Sequence, residues 1–295
     1  MESLHQKTMR YFFLIQTDLI IYQRILLFCL QFSQNIMNKN LPLKRFGQNY
    51  LQDQNIIKKI ISEIAPKENE LLIEIGPGQG ALTQYLLHSK AKLTAIEIDK
   101  RVIDDLKHRF ADLNLLQHDF LDLDLKQFIT TENQKLRIVG NIPYNITSPI
   151  LFKLFDSNTL ISDAVFMVQL EVAKRMTATK GSKDYGILSV LLNYYGMTKL
   201  SFKVSPNVFY PKPNVHSAII HIYFNKIRDD SSFNSIFKSI VKSSFGNRRK
   251  TLKNSLGNSI FADVDFSGCG IDMTLRAEQL NVDDFIRLAQ FASKK

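Results

Sequence analysis

Residues 74–80, with the sequence EIGPGQG, constrain the fold of this chain more than any other segment. An apolar run at 71–73 precedes them and an amphipathic stretch at 81–87 follows, so the glycines occupy a turn between a buried strand and a helix. Bare backbone at such a turn can contact a ligand. The spacing is Gly-x-Gly-x-Gly with Pro77 inside it, unlike the Gly-x-Gly-x-x-Gly of dinucleotide sites, and this disfavours a nicotinamide dehydrogenase.

Strand-like runs alternate with helical or loop segments of crossover length after this point. The runs lie at 71–75, 93–98, 113–117, 136–140 and 164–168. The alternation predicts an α/β, Rossmann-like fold with a doubly wound and mostly parallel sheet. Two later runs, at 200–204 and 218–224, are joined by a short proline-rich connection, which predicts an antiparallel hairpin at the sheet edge.

Three parts of the chain differ in character. Residues 37–226 contain the glycine turn and the strand-like runs, whereas helical spacing of apolar residues predicts a small all-helical C-terminal domain over 227–295. Residues 1–36 hold short apolar runs interrupted by Asp18 and Arg24, too short to span a bilayer and unlike a signal peptide. This N-terminal extension is interpreted either as a mis-assigned start, with Met37 as the alternative, or as an accessory helix.

The net charge and the number of cysteines limit which binding partners and which cellular compartment fit this chain. A net charge of +10 indicates a polyanionic partner, although charge alone does not separate RNA from DNA or from anionic lipid. The two cysteines are too few for a disulfide framework, which fits a reducing cytoplasm. His216 and His221 have opposite parity on a predicted strand and no His-Glu-x-x-His occurs, so no metal is expected. A monomer is expected, because no apolar stripe is left over outside residues 1–36.

Two carboxylates follow predicted strands on the same edge as the glycine turn, where open parallel sheets bind their ligands. Glu97 lies at a suitable distance from the turn to accept hydrogen bonds from both hydroxyls of a ribose, and the alternative is a solvated strand-end carboxylate. Asp119 can accept from an adenine amino group, or it can cap the following helix.

Residues 141–144, with the sequence NIPY, carry groups that suit methylation of an adenine amine. The amine's lone pair is delocalised into the ring, so an enzyme must orient the amine and draw its hydrogens onto acceptors. The side-chain oxygen of Asn141 and the carbonyl of Ile142 can accept them, while Tyr144 offers a flat face for the base. A sulfonium methyl donor is already activated, so positioning can suffice without a strong base. The alternative is an ordinary proline turn.

A basic segment, Arg248, Arg249 and Lys250, lies on or before a predicted helix that carries Leu252 and Leu256. These cations suit contacts with the phosphates of a nucleic acid. A solvated helix face explains them equally well.

Together these strings resemble the ribosomal RNA adenine dimethyltransferases. The matching segments are RFGQNYL at 45–51, the glycine turn, Glu97, Asp119, NIPYNITSP at 141–149, and parts of 169–175, 185–186, 211–215 and 248–251. The resemblance covers about 37–295 and implies a class I methyltransferase fold. The helical tail makes the bacterial branch most similar, which dimethylates two neighbouring adenosines near the end of small-subunit rRNA.

The resemblance implies roles for individual residues. Binding of S-adenosylmethionine is implied for Gln48, Asn49, Leu51, Gly76, Gly78, Glu97, Asp119 and Asn141. A catalytic set of Asn141, Ile142, Tyr144 and Phe209 is implied, with Phe209 on the opposing face of a flipped-out base. Leu170 and His216 depart from the lysine and the aspartate usual in the family, and residues 1–36 have no counterpart in it.

The sequence therefore predicts a cytoplasmic, S-adenosylmethionine-dependent enzyme that dimethylates two adjacent adenosines near the 3′ end of 16S rRNA during ribosome biogenesis. Its expected partner is the small ribosomal subunit, with no membrane and no metal. Two alternatives stay open. One is the large-subunit rRNA methylase of the macrolide-resistance type, and the other is an assembly factor of the small subunit whose methylation is secondary.

Overall fold

The computed structural model describes residues 48–247 and 249–294. The expectations for residues 1–36 and for Arg248 lie outside these residues. The strands are β1 (Tyr50–Leu51), β2 (Leu71–Ile75), β3 (Lys92–Glu97), β4 (Asn114–Gln117), β5 (Leu136–Asn141), β6 (Ile161–Gln169), β7 (Met197–Val204), β8 (Phe209–Tyr210) and β9 (Ser217–Tyr223). The helices are α1 (Gln54–Ile64), α2 (Thr83–His88), α3 (Lys100–Arg109), α4 (Thr147–Asp156), α5 (Leu170–Met176), α6 (Ile187–Tyr195), α7 (Ser231–Phe245), α8 (Leu252–Leu256) and α9 (Val282–Ala292).

The main sheet has seven strands in the order β4-β3-β2-β5-β6-β9-β7. Strands β2 to β6 pair in parallel, whereas β9 runs antiparallel to both β6 and β7. A separate two-stranded ladder joins β1 to β8. The predicted mostly parallel sheet with an antiparallel edge hairpin is therefore confirmed.

Both faces of the central strands are buried, because each face carries its own apolar cluster. Ile73 and Ile138 belong to one cluster, and their chain neighbours Leu72 and Val139 belong to the other. Successive side chains of a strand point to opposite faces, so continuous apolar runs are required here. This is why β2 is apolar at four of its five positions, all except Glu74, rather than at alternate positions.

Helix α1 forms as its sequence predicts. The Asp53 carboxylate accepts from the backbone N–H groups of Asn55 at 2.8 Å and Ile56 at 3.0 Å, which satisfies donors that the first turn leaves open. The isoleucines of the predicted face are buried or half-buried: Ile56, Ile57, Ile60, Ile61 and Ile64. The helix therefore packs on the sheet immediately after β1.

Ionisable side chains lie buried or half-buried at the amino ends of the parallel strands, opposite the glycine turn. The guanidinium of Arg137, near the start of β5, donates to Asp163 at 2.7 Å and to the carbonyl of Ile64 at 2.6 Å. His221 bridges Asp163 at 2.8 Å and Glu63 at 2.9 Å. Burial opposes ionisation of Asp163, but the hydrogen bonds from Arg137 and His221 outweigh it and lower its pKa to about 2. This network fastens the last turn of α1 to three strands.

The helices after residue 226 pack on α6 through aromatic contacts. Phe237 of α7 stacks on Tyr194 with ring centroids 3.8 Å apart, and Phe245 lies 5.7 Å from Phe285 of α9. Helix α7 thus turns an apolar stripe that includes Phe237, Ile240 and Phe245 towards the core, as the helical spacing of apolar residues after residue 226 predicts. The predicted domain boundary at 226/227 remains a prediction.

Replacing Gly196 by alanine is expected to lower the free energy of unfolding by about 3 kcal/mol, because the new methyl group overpacks a backbone contact. Its Cβ would lie 1.8 Å from the carbonyl oxygen of Tyr223, where α6 passes directly into β7. Urea unfolding measures the effect. Gly186→Ala, at the other end of α6, is the control, since a Cβ there meets nothing within 4 Å. Equal stability of the two variants would contradict the expectation.

Candidate functional site

A cavity of about 210 Å³ lies at the carboxyl ends of β2, β3 and β5. Ten of the predicted site residues line it: Gln48, Asn49, Leu51, Gly76, Gly78, Glu97, Asp119, Asn141, Ile142 and Tyr144. The structure thus brings together four segments that the sequence placed at the ends of separate strands: the glycine turn, Glu97, Asp119 and residues 141–144. Glu74, Tyr50, Ile98 and Phe120 also line the cavity, and sequence reasoning assigned them no role.

The glycine turn adopts a backbone that side chains disfavour. Gly76, Gly78 and Gly80 have φ values of 63°, 53° and 75°. Gly78 also approaches Tyr50 closely, since a Cβ on it would lie 3.1 Å from the tyrosine ring. A Cβ on Gly76 would meet nothing within 4 Å, so the turn leaves open space beside Gly76 at the cavity.

Glu97 is held rigidly at the end of β3. One carboxylate oxygen accepts from the N–H groups of Ile98 and Asp99, both at 2.9 Å, and the other accepts from Gly78 at 3.3 Å. Burial raises the pKa of Glu97, while these backbone hydrogen bonds pull it down. Its side chain is only 6% exposed and lines the cavity. It can therefore accept from ligand hydroxyls without reorganising.

Asp99 connects the segment before β1 to the sheet. Its carboxylate accepts hydrogen bonds from the guanidinium of Arg101 at 2.6 Å and from the side-chain amide of Gln48 at 3.1 Å. The hydrogen bond from Arg101 lowers the pKa of Asp99 below its usual range. The position of Gln48 at the cavity is thus set by a residue that the sequence reasoning left without a role.

Of the two roles that the sequence position of Asp119 allowed, the structure shows the helix cap, and acceptance from an adenine amino group stays a prediction. Its Oδ1 accepts from the N–H of Leu121 at 2.8 Å, which caps the short helix Phe120–Asp122. The same side chain lines the cavity, beside the apolar walls formed by Ile98 and Phe120. This part of the cavity lining therefore combines apolar side chains with a carboxylate.

Asn141 is fixed by the strand register and by one hydrogen bond. Gly140 lets β5 approach β2 closely, since a Cβ there would lie 2.6 Å from the carbonyl of Ile75. The Nδ2 of Asn141 donates to the carbonyl of Asn49 at 2.9 Å, which turns the amide oxygen away from that carbonyl. The amide oxygen is therefore the side-chain atom of Asn141 that can accept a hydrogen bond.

Tyr144 is anchored at its hydroxyl. The phenol oxygen lies 2.7 Å from Oγ of Ser217, the first residue of β9. Burial raises the pKa of Tyr144, so the hydroxyl stays protonated and neutral at physiological pH. The half-buried ring is thereby held against the edge of the cavity, next to the buried Ile142.

Three predicted residues do not lie in the cavity. Phe209 is 5% exposed, pairs with Leu51 across the β1–β8 ladder, and packs in the apolar cluster beneath the sheet. Arg249 and Lys250 are exposed ahead of α8. The two departures from the family pattern meet, because the N–H of Leu170 donates to the carbonyl of His216 at 2.9 Å.

Glu74 is a buried carboxyl beside the cavity. It accepts from the hydroxyl of Thr83 at 2.7 Å, and burial raises its pKa from 4.5 to about 7. Between pH 4.5 and about pH 7, Glu74 is deprotonated in the unfolded chain but is still protonated in the folded protein. Stability therefore falls as the pH rises through this window.

The Glu74→Gln variant is expected to resist this loss, because a neutral amide keeps the acceptor for Thr83 without a buried charge. At pH 8 the variant should exceed the wild type by on the order of 2–3 kcal/mol in the free energy of unfolding. Urea unfolding at pH 5 and pH 8 measures the difference. Glu68→Gln, at an exposed position, should leave the wild-type pH dependence intact. The same slope in Glu74→Gln and wild type would refute the expectation.

In residues 48–247 and 249–294, no helix has the length and apolar character needed to cross a membrane. Over the same residues, no three side chains from His, Cys, Asp or Glu form a group that could hold a metal ion.

Comparison with known proteins gives matches over nearly the whole chain. Residues 39–294 match the model of a family described as ribosomal RNA adenine dimethylase. A ribosomal RNA small subunit methyltransferase A from Francisella tularensis subsp. novicida is 44% identical over 260 residues, covering 86% of this chain and 99% of the relative. The protein of the same description from F. tularensis subsp. tularensis is 43% identical with the same coverage.

Two solved structures share the fold. A dimethyladenosine transferase from Plasmodium falciparum is 25% identical with a TM-score of 0.66, over 81% of this chain and 95% of that one. The 23S rRNA methyltransferase ErmE is 24% identical with a TM-score of 0.60, over 83% of this chain and all of that one.

Proposed function

Because the chain belongs to the ribosomal RNA adenine dimethylase family, we propose that it dimethylates N6 of two adjacent adenosines near the 3′ end of small-subunit rRNA. The relatives that are 43–44% identical carry a small-subunit description. The likeness to the large-subunit enzyme ErmE extends to the fold only. The small-subunit substrate is therefore favoured over the macrolide-resistance alternative, and the expected site of action is the cytoplasm.

The donor S-adenosylmethionine fits the cavity by the chemistry of its lining. Glu97 accepts from the ribose hydroxyls, and Asp119 accepts from the adenine amino group between Ile98 and Phe120. The backbone of Gly76 and Gly78 borders the amino-acid part. Gln48, Asn49 and Leu51 cover the donor from the segment that Asp99 and Asn141 hold in place. Bound there, the donor supplies a methyl group on a positively charged sulfur.

The target adenine is oriented by residues 141–144. Asn141 Oδ1 and the carbonyl of Ile142 accept the two N6 hydrogens, which turns the nitrogen lone pair towards the methyl group. A bond forms between N6 and the methyl carbon as the bond from carbon to sulfur breaks, and one N6 proton passes to solvent from the resulting cation. Tyr144, anchored by Ser217, stacks on the base. In the second methylation N6 has one hydrogen left, so one of the two acceptors holds it; the same exchange of the carbon–sulfur bond for a carbon–nitrogen bond follows, and this last proton passes to solvent.

The RNA backbone is contacted outside the cavity. Arg248, Arg249 and Lys250 are proposed to bind its phosphates, and two of them, Arg249 and Lys250, are exposed in the described part of the chain. Phe209 is proposed to face the flipped base. Since its ring is buried against β1, that role requires the β8 segment to shift when RNA binds.

One observation carries the proposal: a single cavity joins the glycine turn and Glu97 to the NIPY turn. The test is incubation of the protein with labelled S-adenosylmethionine and, in separate reactions, small subunits and large subunits that lack the modification, followed by mass spectrometry of the rRNA. Dimethyladenosine at two adjacent small-subunit positions supports the proposal. Label in large-subunit rRNA, or tight binding of subunits without label, contradicts it and favours the resistance-type methylase or a pure assembly factor.

A further inference from the structure

Tyr210 is an exposed aromatic residue of β8, directly after the buried Phe209. Tyr210 is 53% exposed, whereas Phe209 is 5% exposed. In the β1–β8 ladder Tyr210 pairs with Tyr50, and Phe209 pairs with Leu51. Paired residues of an antiparallel ladder share one face, and successive residues alternate between the two faces. Tyr210 therefore shares the face of Tyr50, which lines the cavity, and points away from the apolar cluster that holds Phe209.

The segment at 210–216 joins one wall of the cavity to the anchor of Tyr144. It begins at the ladder with β1 and ends beside Ser217, whose hydroxyl lies 2.7 Å from that of Tyr144. Six of its seven residues are exposed, and Pro213 is the buried one. A molecule that approaches the cavity from solvent therefore meets this segment at the edge of the site.

The charge of this part of the chain suits a polyanion. Residues 185–228 contain no Asp or Glu. Lys203, near the end of β7, and Lys212, two residues after Tyr210, are both exposed. A nucleic acid is therefore not repelled here, and its phosphates can contact these cations. An exposed aromatic ring beside cations is the combination that binds single-stranded nucleic acid.

We propose that the ring of Tyr210 stacks on the base of a nucleotide next to the target adenosine, with Lys212 on a neighbouring phosphate. Flipping the target out of its strand leaves the adjacent base without a stacking partner, and an exposed aromatic ring replaces that partner. Phe209 is assigned to the target base itself, so the two rings serve different bases. The inference rests on the proposed function, because it takes an adenosine of RNA as the target.

The experiment compares Tyr210→Ala and Tyr210→Phe with the wild type on small subunits that lack the modification. The alanine variant is expected to lower kcat/KM for methylation about tenfold, because one base loses its stacking platform. The phenylalanine variant keeps the ring and should stay within about twofold of the wild type. Wild-type kcat/KM in the alanine variant, or an equal loss in both variants, overturns the proposal.

Isothermal titration with S-adenosylhomocysteine tests whether Tyr210 acts on the RNA or on the methyl donor. Tyr210→Ala should bind this ligand as the wild type does, because the exposed ring lies outside the cavity lining. Weaker binding by the variant overturns the proposal, since Tyr210 would then act through β1 and the wall of the donor cavity.

Met197→Ala is the matched control. Met197 is also 53% exposed, but it pairs with Tyr223, at the opposite end of β9 from Ser217. It therefore lies at the other edge of the sheet, and its loss should leave kcat/KM within about twofold of the wild type. An equal loss in Met197→Ala and Tyr210→Ala overturns the proposal, because the effect would then not depend on the site.

Photo-crosslinking identifies what the ring contacts. With p-benzoylphenylalanine in place of Tyr210, a cross-link is expected to a small-subunit rRNA nucleotide adjacent to a methylated adenosine. The same replacement of Met197 should give no such cross-link. Cross-links from position 210 to a ribosomal protein or to distant rRNA overturn the proposal. Failure of the wild type to methylate small subunits refutes the proposed function and this proposal with it, whereas the other outcomes leave the proposed function standing.

Discussion

Replacing Asn141 by alanine is expected to lower kcat for adenine methylation by a factor of about 10²–10³. The substitution removes the amide oxygen that accepts from the target amine, so the amine is no longer oriented towards the methyl group. It also removes the donor to the carbonyl of Asn49, which holds the segment covering the methyl donor. Single-turnover rates on unmodified small subunits measure the effect on the chemical step.

Asn114→Ala is the control for this variant. The amide of Asn114 also donates a hydrogen bond, to Thr94 at 2.9 Å, but it lies at the start of β4 and outside the cavity lining. Its loss should leave the single-turnover rate within about twofold of the wild type, as expected for a remote surface change. Comparable rates for the Asn141 and Asn114 variants would show that the amide of Asn141 does not orient the amine.

Replacing Glu97 by alanine is expected to weaken binding of S-adenosylhomocysteine by about a hundredfold. Hydrogen bonds from two ribose hydroxyls to a buried carboxylate are lost together, at about 1.5–3 kcal/mol each when measured singly. Glu97→Gln keeps one acceptor oxygen and should lose about tenfold. Isothermal titration measures both variants.

Stability of the free protein separates this effect from unfolding. Burial raises the pKa of Glu97, so its ionised form is disfavoured in the folded protein. The glutamine variant removes this buried charge but loses the acceptor of the Gly78 N–H, so its free energy of unfolding should stay within about 1 kcal/mol of the wild type. If either Glu97 variant bound the ligand with wild-type affinity, Glu97 could not be the ribose partner.

The strands could be predicted from the sequence because burial on both faces leaves an apolar signature that needs no other information. Their ends could not be predicted as well. The run at 93–98 predicted a strand through Ile98, but β3 ends at Glu97. The Glu97 side chain accepts hydrogen bonds from the N–H groups of Ile98 and Asp99, so these groups are not available for pairing with a neighbouring strand. Ile98 is left half exposed at the cavity.

The family and the convergence of the motifs were also within reach of the sequence, and the family match confirms the first. Convergence follows from topology, because the carboxyl ends of parallel strands share one edge. The supporting contacts were out of reach. Gln48 with Asp99, Asn141 with Asn49, and Tyr144 with Ser217 are separated by 51, 92 and 73 residues. No local pattern encodes such pairs.

Phe209 shows the opposite situation. A motif gave it a role at the base, yet its ring is buried in the core. The motif identifies the residue and carries no information about which conformation exposes it. Its role remains a prediction, and the same holds for the phosphate contacts of Arg249 and Lys250.

The network of Arg137, Asp163 and His221 holds the last turn of α1 in place, so we expect this helix to move as one rigid unit. At its far end, Glu63 and Ile64 are tied to β5, β6 and β9 through Arg137, Asp163 and His221. At its near end the chain continues directly into β1 and the segment at 48–51, which forms one wall of the cavity. Substitutions on the remote edge of the sheet can thus tilt that wall. We therefore expect substitutions in this network to change the affinity for the methyl donor, although its residues do not line the cavity.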